Sequence, residues 1–205
     1  FYLLFLSQVF LYLGCGDKVG GFSLEEAFSD INLQELVKTV DGGDYDAALE
    51  LISSGVSPNT IGEIGISPLF WVLANGDSDG FEFLLKNGAD PNLRMGSGGS
   101  VMLHLVTLGR ISDLETALKY GGDPNLRHYN RDLPIIFASI DAFNLEAIKT
   151  LVRYGGDANI QAVFYEESPM MYAASINQYY MVLYLMEYGA SIDIEDRNSR
   201  KIDDY

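Results

Sequence analysis

Five short stretches decide the fold: Leu51-Ile52-Ser53-Ser54-Gly55-Val56-Ser57-Pro58-Asn59, Leu84-Leu85-Lys86-Asn87-Gly88-Ala89-Asp90-Pro91-Asn92, Leu118-Lys119-Tyr120-Gly121-Gly122-Asp123-Pro124-Asn125, Leu151-Val152-Arg153-Tyr154-Gly155-Gly156-Asp157-Ala158-Asn159 and Leu185-Met186-Glu187-Tyr188-Gly189-Ala190-Ser191-Ile192-Asp193. Their recurring glycines fall at 55, 88, 121, 155 and 189, in steps of 33, 33, 34 and 34 residues. A sustained period of this size means a stacked array, in which each unit buries its apolar face on the next. Each glycine follows an apolar run, the place of a left-handed residue that ends a helix. The Asp or Ser beyond it, with the following Asn or Asp, closes a turn through its side chain.

A second signal repeats in phase. Ser67-Pro68-Leu69, Ser100-Val101-Met102, Leu133-Pro134-Ile135 and Ser168-Pro169-Met170 each open an apolar run. Serine at the cap and proline in the first turn start a helix without losing a backbone hydrogen bond. The unit is therefore a short helix, a turn, a second helix, a glycine and an extended finger. Over roughly residues 24–205 this resembles the ankyrin-repeat family, which implies an all-α solenoid of stacked helix-turn-helix units with finger loops. The sequence departs from the family pattern at Val101 and Leu133, and Phe70, Leu103, Ile136 and Met171 stand where the family has histidine.

Boundaries follow from the phase. An acidic capping repeat occupies 24–59, with helices expected near 32–40 and 45–53. Full repeats run at 60–92, 93–125, 126–159 and 160–193, and a partial C-terminal repeat at 194–205. Ahead of them lie a signal-peptide-like segment, 1–15, and a linker, 16–23. Residues 1–13, FYLLFLSQVFLYL, carry no charge. As a helix they span roughly 20 Å, short of a bilayer core but suited to the apolar region of a signal peptide. Leu13-Gly14-Cys15 resembles the lipobox of bacterial lipoproteins, which makes Cys15 the expected lipidation site. The alternative is a buried apolar helix with an incidental thiol. The chain opens on Phe1 with no basic residue before the apolar run, so further leading residues are expected.

The 205 residues carry 13 basic and 29 acidic side chains, a formal net charge of −16. Nucleic-acid affinity depends on Lys and Arg neutralising phosphates, so that partner class is disfavoured, and a cationic protein surface is favoured. The charge is concentrated at the ends: residues 101–150 are nearly balanced, with six acids and five bases. A strip of local positive charge at 94–131 is thus available to a partner. One cysteine rules out an internal disulfide framework and a Cys-rich zinc module. No cofactor or metal site is implied, and no homo-oligomer is demanded.

Two motifs are decoys. Gly14-x-Gly16 lacks the βαβ context of a dinucleotide fingerprint. Asn75-Gly76-Asp77-Ser78-Asp79-Gly80 imitates a calcium loop, but Lys86 stands where a bidentate Glu is required. A helix-connecting turn is the better reading. Trp71, Phe137 and Tyr172 share a core phase, and His104 shares it as an interior histidine.

In a stacked array, binding falls to the fingers and the inner helix face. The candidate partner-binding residues are Arg94 and Met95 in a glycine loop expected to be mobile; Arg127, His128, Tyr129 and Arg131 in the next finger; and Phe164, Tyr165, Glu166 and Glu167 in the lengthened one. Aromatic and Arg side chains are favoured interface anchors, although Phe164 and Tyr165 have packing on neighbouring fingers as their alternative. No nucleophile elbow, phosphate-cradling lysine loop or metal cluster is visible, so no catalytic residue is assigned. The lipoprotein-like start joined to a small acidic ankyrin array also resembles the immunity proteins that accompany type VI secreted phospholipase toxins. That resemblance implies a periplasmic inhibitor that occludes a cognate toxin, tied to the membrane only by its lipid. The other readings are a membrane-tethered adaptor or scaffold and a carboxylate-dependent hydrolase.

Overall fold

Residues 18–128 and 132–205 are described by the computed structural model. They fall into two compact units, residues 18–101 with 119–122, and residues 102–118 with 123–205. Both are built from paired antiparallel helices.

The first unit opens with a hairpin within the stretch read as a linker: β1 (Lys18–Val19) pairs antiparallel with β2 (Phe22–Ser23). Gly20 and Gly21 turn the chain with φ of 60° and 88°, a pair of left-handed values that glycine alone adopts readily. Val19 is fully buried, which ties the segment to the helical body. Next come α1 (Leu24–Ala27), α2 (Ile31–Asp41), α3 (Tyr45–Ser53), α4 (Pro68–Asn75) and α5 (Ser78–Lys86). The brief α1 was not expected. It forms because Ser23 and Glu26 make a reciprocal capping box. Phe28 and Trp71 meet edge to face at 6.1 Å in the core, and each such burial contributes about 1.5–3 kcal/mol.

The second unit takes all of α6 (Val101–Leu108) but its first residue and all of α7 (Ile111–Lys119) but its last. It continues through β3 (Arg127–His128), β4 (Leu133–Pro134), α8 (Ile135–Asp141), α9 (Leu145–Arg153), α10 (Pro169–Ser175) and α11 (Tyr179–Glu187). A 3₁₀ turn over Ile202–Asp204 packs on α10. Phe137 and Tyr172 pack at 5.5 Å, and Trp71, Phe137, Tyr172 and His104 are all buried.

The helix starts obey the expected chemistry at two positions and bypass it at a third. Ser67 Oγ accepts the Phe70 N–H at 3.2 Å, and Ser168 Oγ accepts the Met171 N–H at 3.3 Å, each with proline in the first turn. Leu133 has no such oxygen, and Pro134 sits before α8 instead of inside it. There β4 pairs antiparallel with β3, and the Ile135 N–H donates to the Leu126 carbonyl at 2.9 Å. Within residues 75–80 the chain passes from one helix to the next: left-handed Gly76 ends α4, and the Asp77 carboxylate accepts the Gly80 N–H at the start of α5.

All five phased glycines have φ between 92° and 109°, as left-handed helix ends require. Within the finger bases, Asp90, Asp123 and Asp157 accept the N–H two residues on at 2.8 Å. The asparagines then reach into the following repeat. Asn59 donates to the Gly88 carbonyl and accepts the Asp90 N–H, both at 2.8 Å. Asn125 bridges to Gly155 and Asp157, and Asn159 to Gly189 and Ser191, in the same manner.

Candidate functional site

The lengthened finger of the second unit carries the strongest candidate residues. Its tip folds on itself: the Ala162 N–H donates to the Glu167 carbonyl at 3.0 Å, and the Glu166 N–H to the Ala162 carbonyl at 2.8 Å. Buried Ala162 anchors the turn, and Glu166 takes a left-handed φ of 55°. Gln161 Nε2 donates to the Glu166 and Glu195 carbonyls. The Arg197 N–H donates to the Tyr165 carbonyl at 2.9 Å. The backbone is thus held from within and from the next finger. Phe164 and Tyr165 are 63% and 60% exposed.

The base of this finger is polar. Arg127, half-buried, donates to the Gln161 carbonyl at 3.0 Å and to the Asp132 carbonyl at 2.8 Å. Its guanidinium therefore joins two fingers. Glu167 is also largely enclosed. Its carboxylate accepts from the Tyr205 hydroxyl at 2.9 Å, with the Arg200 guanidinium 3.8 Å away. Arg200 holds buried Asp196 through two hydrogen bonds of 2.9 and 2.7 Å. Burial pushes the Asp196 carboxyl up. The Arg200 N–H, the guanidinium, the Asn198 N–H and the Tyr205 hydroxyl outweigh it and hold the carboxyl far below its ordinary range. Tyr205 is pushed up, by burial first and then by Glu167 and Asp196.

The other expected residues are distributed differently. Arg94 is exposed and belongs to the first unit. Met95 is only 3% exposed, which corrects its reading as a contact residue. Its glycine loop is pinned: the Met95 N–H donates to Gly99, the Gly98 N–H to Met95, and the Gly96 N–H to the Gly65 carbonyl at 2.8 Å. A Cβ at Gly65 lies 3.0 Å from the Gly96 Cα, so two glycines are needed where these fingers meet. His128 is half-buried in β3. Tyr129, Arg131 and Cys15 lie outside the described residues. Glu166 is exposed at the tip.

One surface escaped the sequence reading. Tyr179, Tyr180, Leu183 and Met186 of α11 are all exposed, with Ile192 beyond them. The signal was present as apolar residues at outward phases, but apolar helical residues read as core. Among the described residues, no group of three His, Cys, Asp or Glu side chains is arranged to hold a metal ion. No helix among them is long and apolar enough to cross a membrane.

Comparison with known proteins bears on the same residues. A family model described as ankyrin repeats matches residues 102–196 in three copies, and a single ankyrin repeat matches 65–93, together more than half of the chain. The crystal structure of the ankyrin repeat protein EF0377 superposes with a TM-score of 0.68 at 24% identity, covering 84% of this chain and 90% of that one. The ankyrin repeat domain of Bcl-3, a unique member of the IkappaB protein family, superposes with a TM-score of 0.72 at 18% identity, covering 85% and 78%. A sequence search of curated proteins found no match.

Proposed function

This chain belongs to the ankyrin-repeat family, and from that premise we propose that it is a non-enzymatic inhibitor that binds another protein through the finger at 161–167. Ankyrin repeats imply a protein–protein interaction role. The observation that carries the proposal is the pair Phe164 and Tyr165, held outward on a hydrogen-bonded turn. A pre-ordered finger loses little conformational entropy on binding, and two aromatics supply the apolar contact. The net charge of −16 favours a cationic partner and speeds its encounter.

The partner in this reading is a secreted phospholipase toxin. An enzyme that attracts an anionic phosphodiester presents a cationic mouth, which an acidic finger array blocks. The protein then works in the periplasm, with acylated Cys15 as its mature N-terminus. Mass spectrometry of the native N-terminus tests that placement: Phe1–Gly14 still attached to an unmodified Cys15 overturns it.

The binding test is surface-plasmon kinetics against a phospholipase encoded beside this protein. Replacing Phe164 and Tyr165 together by Ala is expected to cost about 2–4 kcal/mol of binding. The melting temperature should stay unchanged, because both side chains are exposed. Unchanged binding with a lowered melting temperature makes them packing residues and ends this reading. An adaptor role is favoured instead if no inhibition accompanies binding.

A further inference from the structure

Hydrogen bonds locate the extra residue of the lengthened finger. In three other fingers the tip closes by a bond to the third residue back: the Gly65 N–H donates to the Gly62 carbonyl at 2.9 Å, Gly98 to Met95 at 2.8 Å, and Ser199 to Asp196 at 2.9 Å. Here the Glu166 N–H reaches one residue further, to the Ala162 carbonyl at 2.8 Å. The addition is therefore at the tip itself. The pairs Glu63-Ile64, Gly96-Ser97 and Arg197-Asn198 give way to three residues, Val163-Phe164-Tyr165. All three are exposed, Val163 to 48%. The following finger lies beside them, its Arg197 N–H bonded to the Tyr165 carbonyl, and still leaves them open.

The residue that closes each of these turns is left-handed. Gly65 and Gly98 take φ of 81° and 84°, Ser199 takes 58° and Glu166 55°. Glycine adopts this conformation freely, whereas a longer side chain strains it. At Glu166 the strain sets a charge beside the aromatics. Its carboxylate is exposed, and among the described residues no cationic side chain pairs with it. The nearby acids are occupied: Asp132 has Arg127 at 3.7 Å, and Glu167 has Arg200 at 3.8 Å.

This pattern selects the occupant. Three apolar residues gain most from a dry pocket, but a carboxylate carried in behind them is costly to bury without a cation. The complementary surface is an apolar cleft with Arg or Lys at its rim. In an enzyme, a cleft so built receives an amphiphile: the apolar chain lies on the wall and the anionic head on the cation.

We propose that the tip at 163–166 is a substrate-shaped plug. Val163, Phe164 and Tyr165 enter the apolar cleft of a partner enzyme, and the Glu166 carboxylate takes the place of the anionic head of its substrate. This rests on the inhibitory reading of the finger and adds two things: the mode of inhibition, which is competitive, and Glu166 as the residue that sets specificity for a cation-rimmed cleft.

The test is inhibition of the phospholipase encoded beside this protein by the full chain, with a short-chain monomeric phospholipid as substrate. Dodecyl phosphate, kept below its micelle concentration, serves as a competing anionic amphiphile. The apparent inhibition constant should rise in proportion to substrate, and dodecyl phosphate should displace the chain. Glu166→Gln should weaken inhibition about 10–50-fold, with the loss shrinking at high salt. Glu166→Gly should weaken it as much while keeping or raising the melting temperature, because the left-handed strain is relieved. Deleting Val163 restores a two-residue tip and should weaken inhibition at least about 10-fold. Val163→Ser serves in its place should the deletion fail to fold. Inhibition that Phe164→Ala and Tyr165→Ala weaken but Glu166→Gln does not overturns the plug and leaves the inhibitor reading standing. So does inhibition that neither substrate nor dodecyl phosphate relieves. A native chain that does not bind the phospholipase ends both.

Discussion

Asn159 and Ser191 join successive repeats: the Ser191 N–H donates to Asn159 Oδ1 at 2.7 Å, while Asn159 Nδ2 donates to the adjacent Gly189 carbonyl at 3.1 Å. One side chain thus satisfies a donor and an acceptor at the end of a helix it does not belong to. Asn suits the role because its amide offers both functions, whereas an ionised carboxylate only accepts.

Replacing Asn159 by Ala removes both bonds and exposes the freed groups to partial solvation. The expected cost is about 1–2 kcal/mol, read as a lower urea midpoint with an unchanged slope. Asn159→Asp should not restore the loss, because a carboxylate beside the Gly189 carbonyl oxygen offers no donor. Full stability in the Ala variant would mean that helix packing alone sets the spacing of these repeats.

The period, the helix pairs and the turns were legible in the sequence because each has a local cause: a left-handed glycine, a capping serine, an Asp that closes its own turn. The asparagine bridges were not, since their partners lie about thirty residues away. Met95 was misread for a related reason. A glycine-rich stretch suggests mobility, whereas the glycines here permit the backbone contact between Gly65 and Gly96 that closes over it. Phe164 and Tyr165 stand in the lengthened finger where the sequence pointed. The enclosure of Glu167 was hidden, because Tyr205 and Arg200 reach it from the following repeat.

Glycines at 62 and 55 should respond to Ala for opposite reasons. At Gly62 a Cβ falls 2.1 Å from the Ala27 carbonyl oxygen, so the backbone of the first unit has to move. At Gly55 a Cβ meets nothing within 4 Å, and only the φ of 109° opposes it. Gly55→Ala is expected to cost about 1 kcal/mol and Gly62→Ala at least about twice that. Thermal melts of the two variants check the order, and a reversed order would contradict the packing of Gly62 against α1.

Acid should loosen the C-terminal repeat through Asp196. Its carboxyl is held below its unfolded value, so the unfolded chain takes up the proton first as pH falls. The stabilising contribution is fully present above the ordinary carboxylate range, near pH 4, and is lost progressively below it. Asp196→Asn should lower the melting temperature at pH 7, and the gap from the native protein should shrink toward pH 2. A gap independent of pH would assign the loss to packing and not to the charge.

Tyr205 links the candidate finger to this buried carboxylate. Its hydroxyl lies 2.9 Å from Glu167 and 3.1 Å from Asp196, and it accepts from Arg200 at 2.9 Å. A hydroxyl has one proton, so it donates to one carboxylate at a time while Arg200 offsets the charge of the other. Tyr205→Phe keeps the ring and deletes this link, leaving the turn bonds of Ala162 and Glu166 and the bond from Arg197 to Tyr165. Local opening of the finger should then become easier, and amide exchange over 161–168 about 5–10-fold faster, with α4 and α5 unaffected. Partner association should slow as the ordered fraction of the finger falls, while an added free phenol restores nothing. Exchange rates equal to the native protein would mean that the finger's own turn is sufficient to present Phe164 and Tyr165.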